Sequence, residues 1–470
     1  MRWALFLFAL SFTAFAVQSG DALMYLALAN DFILTGEWRQ IDPYLYSLPG
    51  GTLVWWHEYL SYLIFYGAWW TLGYAGLTLV KVLVLSAMFY VALNSEPRAR
   101  NGGALWIALF MLAILAGSFR YIERSSMFSD LFTLGLAATL LKTTRPSRKF
   151  FLGLAGFFWL WIQLHPGFVA GLIFLGVWCL WELYHSRVTR EFYWLALTPA
   201  ALLLNPLGFE GALYPFQFAF NEARTLKLYN FEWMPAYHPA FRFAPETLAF
   251  WILSLASLIL LLRARALKTL GAVFALIAFA LSAQTVRFVP WSSLLLLICI
   301  KPYAELTRVR LDRPWLRRGI AILLFAVAAK NLTFGYMSSS GQRLPRLGLD
   351  PKFFPSTTIE FLKQRPIPGR LYNSHDFGSA LVWNGIRPIF HHGFVTDMQF
   401  YKGDVMGALG TRERFLELAD KYGWTMLLVD KFNGYREMHR ILSPIPEWKI
   451  VAEDEAAYLI YKMPDPPHAR

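Results

Sequence analysis

The sequence predicts a mostly α-helical bundle that crosses a membrane many times, followed by one small soluble α/β domain. Hydrophobic residues make up 56% of the 470 positions and only 16% are charged, against about 25% in soluble domains. Apolar runs separated by short basic loops fill residues 3–334, and the mean hydropathy is +0.40. From about Pro345 onward, charges and prolines appear and the apolar runs shorten to strand length. We therefore predict a membrane domain at 1–340 and a soluble domain at 341–470.

The net charge of +13 does not indicate a nucleic-acid partner. Basic residues form short clusters between apolar runs, which is typical of the cytoplasmic loops of membrane proteins. The soluble part has no basic stripe with interleaved aromatic residues. Both cysteines, Cys179 and Cys299, lie inside apolar runs and do not suit a disulfide framework or a cysteine-based metal site.

Eleven apolar runs are candidate membrane spans: 3–17, 76–93, 103–118, 127–141, 150–163, 167–184, 192–206, 246–263, 269–283, 288–300 and 318–334. We interpret the first as an uncleaved helix, although Ala14-Phe15-Ala16 also resembles the cleavage site of a signal peptide. A further run at 53–73 is rich in Trp and Tyr, which favour the membrane interface, so it either spans or lies flat on the surface.

Charge decides between these two orientations. If 53–73 lies flat on the outer surface, the basic clusters all face the cytoplasm, as the positive-inside rule requires; if it spans, they face outward. The clusters are Arg98 and Arg100, Lys142 to Lys149, Arg187 and Arg190, Arg263 to Lys268, and Arg308 to Arg318. The sequence therefore predicts about eleven spans in a bacterial cytoplasmic membrane, a cytoplasmic N-terminus, a first outer loop at 18–75 and an extracytoplasmic tail.

This topology gathers unusual polar residues at the outer face, where we expect them to converge on one cavity. Asp21 follows the first run and is either a catalytic group or a helix N-cap. Asp42 precedes a proline, which favours an Asx-type turn. His57 and Glu58 lie near the start of the surface run. Their side chains are possible ligands of a divalent metal, and this alternative stays open.

Arg120 and Arg124 form an arginine pair in an outer loop, directly before a span. Guanidinium groups bind phosphate bidentately, which favours phosphate recognition; the alternative is pairing with Glu123 or with lipid headgroups. Arg287 is another arginine at an outer membrane end.

Three more outer segments carry polar residues. They are the turn Trp161-Ile162-Gln163-Leu164-His165-Pro166-Gly167, the stretch Asn205-Pro206-Leu207-Gly208, and Glu232 with Trp233 and His238 in the loop 207–245. His165 is either functional or a buried hydrogen-bonding residue.

In their order along the chain these features resemble the GT-C glycosyltransferase superfamily, near the bacterial relatives of the protein O-mannosyltransferases. The similar features are the aspartate after the first helix, the surface helix before the second span, the outer arginine pair, and the two turns that contain His165 and Asn205. The resemblance covers roughly residues 1–335. In the tail, Tyr372-Asn373-Ser374-His375-Asp376-Phe377-Gly378 with Trp383 is similar to outer tails of uncharacterised bacterial members.

The resemblance implies a hexosyltransferase-type enzyme that takes a sugar from a polyprenyl-phosphate carrier in the lipid bilayer. The acceptor (protein, lipid or glycan) is not identified. It implies that Asp21 acts as general base or orients the acceptor, and that Arg120, Arg124 and Arg287 are candidates to bind the carrier phosphate. From their place at the predicted outer face, we add five candidates for the acceptor or donor pocket: Asp42, His57, Glu58, His165 and Glu232. The chain departs from the family at Asp21-Ala22, where an acidic pair is usual, and lacks the Asp-x-Asp of metal-dependent relatives. No cofactor is therefore certain, and a divalent metal stays open.

Two other functions stay open. A transporter or flippase of lipid-linked sugars would show internal repeats and helices broken in mid-membrane, but no repeat is visible and the polar residues lie at outer ends. A non-catalytic scaffold that presents the tail to a partner is compatible with the missing second acidic residue.

The soluble tail has its own pattern. We predict helices at Thr357 to Gln364 and Arg412 to Tyr422, a buried strand at Trp424 to Val429, and a hairpin of Trp448 to Ala452 and Ala456 to Tyr461. We interpret His391-His392 with Asp397 as a solvated loop rather than a ligand cluster.

Overall fold

A computed structural model describes residues 1–55, 57–95, 103–221, 230–304, 313–339, 341–365, 368–395, 397–431, 438, 440–441 and 447–463. The described chain is mostly helical, as the sequence predicts. Four arginines of the predicted cytoplasmic clusters, Arg98, Arg100, Arg308 and Arg310, lie outside the described residues.

The helices of the first 340 residues are α1 (Arg2–Leu10), α2 (Gly20–Thr35), α3 (Tyr59–Leu72), α4 (Tyr74–Asn94), α5 (Ala104–Gly117), α6 (Ser126–Leu140), α7 (Arg148–Leu164), α8 (Phe168–Tyr184), α9 (Leu197–Leu202), α10 (Phe209–Asn221), α11 (Pro245–Arg263), α12 (Leu270–Gln284), α13 (Val289–Ala304) and α14 (Pro314–Phe334). Short 3-10 turns lie at Ser118–Arg120, Arg190–Ala196, Phe231–Trp233, Pro239–Phe241 and Val286–Phe288. All but two of the predicted apolar runs fold as a single helix close to the expected bounds.

The two exceptions are the runs 3–17 and 192–206, for which one continuous helix was the wrong prediction. Helix α1 ends at Leu10, where the hydroxyls of Ser11 and Thr13 bond back to the carbonyls of Phe8 and Leu10 and compete with helix continuation. The second run divides into a 3-10 segment and the short α9, which contains Pro199. Because proline lacks an amide N–H, an unbroken α-helix through this residue would lose a hydrogen bond.

By length and composition alone, three of the described helical segments can cross a membrane: Tyr74–Asn94, Pro245–Arg263 and Val286–Ala304. Shorter apolar helices lie at Ala104–Arg120, Ser126–Leu140, Phe168–Tyr184 and Leu270–Gln284. The predicted surface run 53–73 forms α3, and Gly73, whose φ is 60°, separates it from α4. The number of spans stays a prediction.

Contacts between residues divide the chain into two compact units. Unit one is Met1–Ala16, Trp56–Ser61 and Thr78–Leu347; unit two is Val17–Trp55, Tyr62–Leu77 and Gly348–Arg470. Most of residues 18–75, predicted to be the first outer loop, thus group with residues 348–470. The division into domains at 340/341 stays a prediction.

The core of unit one is large and aromatic. Its fully buried side chains include Trp106 of α5, Trp161 of α7, Trp178 of α8 and Trp291 of α13. Every residue of α13 from Val289 to Lys301 is buried, so this helix lies inside the bundle. Next to α14, strands β1 (Tyr336–Ser338) and β2 (Gly341–Arg343) form a small hairpin.

Unit two contains a four-stranded sheet of the tail. Strands β3 (Arg370–Asn373), β4 (Trp424–Asp430), β5 (Trp448–Glu453) and β6 (Ala457–Lys462) have the order β3-β4-β6-β5, with β3 parallel to β4 and the other pairs antiparallel. Helices α15 (Ser356–Gln364), α16 (Gly378–Trp383), α17 (Met398–Phe400) and α18 (Arg412–Tyr422) accompany it, with short turns at His375–Phe377, Tyr401–Val405 and Gly407–Leu409. The two helices, the strand and the hairpin predicted for the tail are all present. Strand β3 and the short helices α16 and α17 were not predicted.

Candidate functional site

Two arginines in unit one hold one carboxylate. Arg120 ends the 3-10 turn after α5, and Arg124 lies just before α6. Arg124 donates hydrogen bonds from Nη1 to both carboxylate oxygens of Glu232. Arg120 Nη1 lies 3.0 Å from Glu232 Oε2, and the Arg120 side chain is only 5% exposed. Burial alone would raise the pKa of Glu232, but the two arginines, with Arg287, outweigh it and hold the pKa well below its usual range.

Glu123, the alternative partner considered for these arginines, forms an ion pair with Lys81. Its carboxylate is 2.5 Å from the ammonium of Lys81, and neither side chain is exposed. Lys81 also donates to the carbonyl of Phe15 at 3.0 Å. Lys81 is therefore an ion-pair partner of Glu123, as Glu232 is of Arg120 and Arg124.

Arg287 lies beside the same cluster because two backbone segments are tied together. Thr285 Oγ1 donates to the carbonyl of Trp233 at 2.8 Å, and the amide of Val286 donates to the carbonyl of Met234 at 3.0 Å. These bonds join the turn before α13 to the Glu232 segment. The Arg287 guanidinium lies 4.8 Å from the centre of a Trp233 ring, within the range of a cation–π contact. Arg120, Arg124 and Arg287 are called the arginine cluster below.

His165 is held in one orientation by its neighbours on α6, α7 and α8. Its Nδ1 accepts a hydrogen bond from the Gly167 amide at 2.9 Å and lies 2.8 Å from Ser129 Oγ, which itself accepts from Trp161 Nε1 at 2.7 Å. The Gly167 contact makes Nδ1 a hydrogen-bond acceptor. Burial, with Arg287 and other cations nearby, lowers the pKa of His165 well below its usual value.

Glu58 connects the two histidines. Its Oε1 lies 3.5 Å from His165 Nε2 and 3.7 Å from His57 Nε2. Burial, followed by the charge of Arg287, lowers the pKa of His57 to about 3. The start of α3 is fixed to the end of α7, where Tyr59 donates to Gln163 Oε1 at 2.9 Å.

These side chains do not form a suitable metal centre. Arg287 Nη2 lies 3.3 Å from His165 Nε2, where it would repel a metal cation. Within the described part of the chain, no group of three or more His, Cys, Asp or Glu residues is arranged to hold a metal ion.

Asp21 and Asp42 belong to unit two. Asp21 lies in the first turn of α2 and Ser19 is the N-cap, so the N-cap interpretation of Asp21 is wrong. The predicted turn at Asp42 is confirmed, because its Oδ1 accepts from the Tyr44 amide at 2.8 Å. Its other oxygen lies 2.7 Å from Nε2 of the buried His392.

The tail histidines were misinterpreted as a solvated loop. His391 and His392 are 1% and 0% exposed, and Asp397 instead caps the following helical turn. His391 Nε2 lies 2.6 Å from His375 Nδ1. A side chain added at Gly393 would lie 3.7 Å from both Asp21 Oδ1 and His375 Nε2, so these two groups face the same point.

The sequence analysis missed Asp130. It lies on α6 next to Ser129 and close enough to Arg120 and Arg287 to interact with their charges. An acidic residue within the apolar run 127–141 was the available signal, since charges inside spans are unusual. Asn205, by contrast, forms its own turn, accepting from the Leu207 amide at 2.9 Å and donating to the Gly208 carbonyl at 2.7 Å.

Comparison with known proteins identifies the fold. No protein-family model and no curated protein sequence matches the chain. ArnT from Cupriavidus metallidurans, in a crystal structure with undecaprenyl phosphate, aligns with a TM-score of 0.51 at 14% identity, covering 98% of this chain and 97% of ArnT. The apo oligosaccharyltransferase of Archaeoglobus fulgidus aligns with a TM-score of 0.52 at 12% identity, covering 92% of this chain and 69% of that one. The chain has the GT-C glycosyltransferase fold. The predicted resemblance is confirmed at the level of the fold, and the identities of 14% and 12% carry no further conclusion about the reaction.

Proposed function

We propose that this protein transfers a sugar from a polyprenyl-phosphate donor to an acceptor at the outer face of the bacterial cytoplasmic membrane. It would act as a hexosyltransferase-type glycosyltransferase. The observation that carries the proposal is the arginine cluster: two guanidinium groups converge on one anion, and a third lies beside them.

The chemistry of transfer requires such a cluster. The acceptor hydroxyl attacks the anomeric carbon of the sugar, and the bond between that carbon and the phosphate oxygen breaks. The products are a glycosylated acceptor and polyprenyl phosphate. Negative charge develops on the departing phosphate, and fixed arginines stabilise it. ArnT, which shares the GT-C fold, was crystallised with undecaprenyl phosphate, and this supports the same donor class here.

We assign the remaining residues to roles around this reaction. Asp21 accepts the proton of the acceptor hydroxyl or orients that hydroxyl. Glu58, His57 and His165 line the donor pocket and offer hydrogen-bonding groups to the donor. Asp42 positions the histidine-rich tail through His392.

The proposal includes the topology of about eleven spans, with the N-terminus inside and the tail domain outside. In a variant without native cysteines, single cysteines at the exposed positions Ser147 and Ser186 should be shielded from an impermeant thiol reagent in intact cells, whereas Thr35 and Ser356 should react. Labelling at positions 147 and 186 would mean that the membrane topology is the inverse of the one proposed.

The experiment that tests the function is transfer by the purified protein in lipid nanodiscs. The protein is incubated with a panel of labelled polyprenyl-phosphate sugars and with cell-envelope fractions. We expect label from one donor to move to an acceptor in the envelope. Binding of lipid-linked sugars without label transfer, together with their movement across vesicle membranes, would instead support the flippase alternative.

A further inference from the structure

The carboxylate of Glu232 occupies the donors that a phosphate would need. Arg124 Nη1 donates to both of its oxygens, and Arg120 Nη1 lies 3.0 Å from Oε2. Carboxylate and phosphate oxygens engage the guanidinium group in the same bidentate way. A phosphate and Glu232 therefore cannot use these N–H groups at the same time.

The arginine cluster also requires an anion when no donor is bound. Arg120 is 5% exposed, so water cannot solvate its charge well. A buried guanidinium without a counter-ion is strongly unfavourable. Glu232 supplies that counter-ion in the structure.

The attachment of Glu232 allows its side chain to move away. It lies on the single 3-10 turn Phe231–Trp233, and its side chain is 28% exposed. The bonds that tie this segment to the end of α12 and to the turn before α13 use the backbone of Trp233, Met234 and Ala236. None of them uses the carboxylate, so rotation of the side chain would free both arginines while the backbone keeps its place.

From these contacts we infer that Glu232 is a displaceable counter-ion of the arginine cluster. It occupies the phosphate position while the donor is absent, yields to the phosphate monoester or diester of the polyprenyl carrier, and returns after transfer to help expel polyprenyl phosphate. The inference rests on the proposed function, because it assumes that the arginine cluster binds that phosphate.

The test is equilibrium binding of undecaprenyl phosphate to the full-length protein in nanodiscs. Glu232→Gln removes the competing charge and keeps the shape, so binding should become about tenfold tighter, the size of one charge-assisted contact, and release should slow. Glu232→Asp keeps the charge on a shorter side chain and should lie between Glu232→Gln and wild type. Glu191→Gln is the matched control, since Glu191 pairs with the exposed Arg190 at 3.6 Å; its binding should equal that of wild type.

Two further ligands separate the phosphate from the lipid. Inorganic phosphate should also bind more tightly to Glu232→Gln, although weakly overall. The uncharged polyprenol should bind equally to wild type and Glu232→Gln. Equal tightening for the polyprenol would overturn the inference, because the effect would then come from the lipid chain.

The outcomes distinguish this inference from the proposed function. If Arg124→Gln weakens binding of undecaprenyl phosphate and Glu232→Gln weakens it too, Glu232 only orients the arginines, and the inference fails while the proposed function stands. If Arg124→Gln binds like wild type, the proposed role of the arginine cluster fails, and this inference with it. If Glu232→Gln does not fold, the same measurement is made on Glu232→Asp. Tighter binding of undecaprenyl phosphate than in wild type supports displacement of the carboxylate, and weaker binding contradicts it.

Discussion

The ammonium of Lys81 lies 2.5 Å from the carboxylate of Glu123, and neither side chain is exposed to solvent. Lys81 comes from α4, and Glu123 lies in the turn between α5 and α6. A buried pair of this kind fixes the position of that turn, which also carries Arg120 and Arg124. The pair therefore connects the fold of unit one to the geometry of the arginine cluster.

Removing one partner of the Lys81–Glu123 pair should lower the free energy of unfolding far more than removing both. Lys81→Met removes the ammonium beside the buried Glu123 carboxylate. We expect a loss of about 3–5 kcal/mol in the free energy of unfolding. The double variant Lys81→Met with Glu123→Leu should recover most of that loss. Thermal unfolding in detergent measures both. A double variant as unstable as the single one would show that the pair does not act as a unit.

Gly167 is predicted to be required for the orientation of His165. An added Cβ would lie 2.4 Å from Ser129 Oγ and 2.9 Å from His165 Nδ1. Gly167→Ala should disrupt the hydrogen bonds to Nδ1, at a cost of roughly 1–3 kcal/mol, and lower transfer activity. Gly156→Ala on α7 is the control, because nothing lies within 4 Å of its added Cβ. The account would be wrong if the two alanine variants had equal activity and equal melting temperatures.

Stability should fall as the pH drops below about 6.5, the pKa of an unperturbed histidine. Burial, with neighbouring cations or histidines, lowers the pKa of His57, His165 and His391 in the folded protein. The unfolded chain therefore binds more protons in acid, and each histidine should cost about 1.4 kcal/mol per pH unit below that value. Above pH 6.5 the three histidines cause no such loss of stability.

Melting temperatures at pH 7.5 and 5.5 check this dependence. His391→Gln should reduce the difference between the two values, whereas His185→Gln should leave it unchanged because His185 is exposed. A protein that melts at the same temperature at both pH values would contradict the neutral, buried state of these histidines.

Asp21→Asn should keep folding and membrane level but lose most transfer activity. Asparagine preserves the shape of aspartate but cannot accept the proton, and loss of a general base typically costs about a hundred- to ten-thousandfold in rate. The structure removes the competing N-cap role, since Ser19 occupies that position. Initial rates of label transfer at saturating donor provide the measurement. Near-normal rates would end the catalytic assignment of Asp21.

Sequence periodicity predicted the helices well where apolar runs were uninterrupted, and failed where local chemistry intervened. Ser11 and Thr13 end α1 early, and Pro199 divides the run 192–206, effects that a hydropathy pattern does not weigh. In the tail, alternating apolar residues revealed the hairpin of β5 and β6. Strand β3 has only four residues, which is too short for a periodic signal.

The candidate site was predicted as a set of residues but not as a set of contacts. The arginines, His165 and Glu58 were recognised because charges at span ends are unusual. Pairing partners far apart in the chain depend on tertiary structure: Glu232 lies 108 residues from Arg124, and His392 lies 350 residues from Asp42. Neither pair, nor the burial of His391, could be derived from spacing. Asp130 could have been recognised from the sequence, because it is an acidic residue within the apolar run 127–141.

Single-turnover transfer by Arg124→Gln tests the central claim most directly, because it asks whether the arginine cluster acts on the phosphate of the donor. Charge-assisted phosphate contacts contribute about 1.5–3 kcal/mol each, so we predict a roughly ten- to hundredfold loss of donor use. The exposed Arg145→Gln should match wild type in both transfer and protein level. Unchanged donor kinetics in Arg124→Gln, and equally in Arg120→Gln, would contradict the account and assign the cluster to structure.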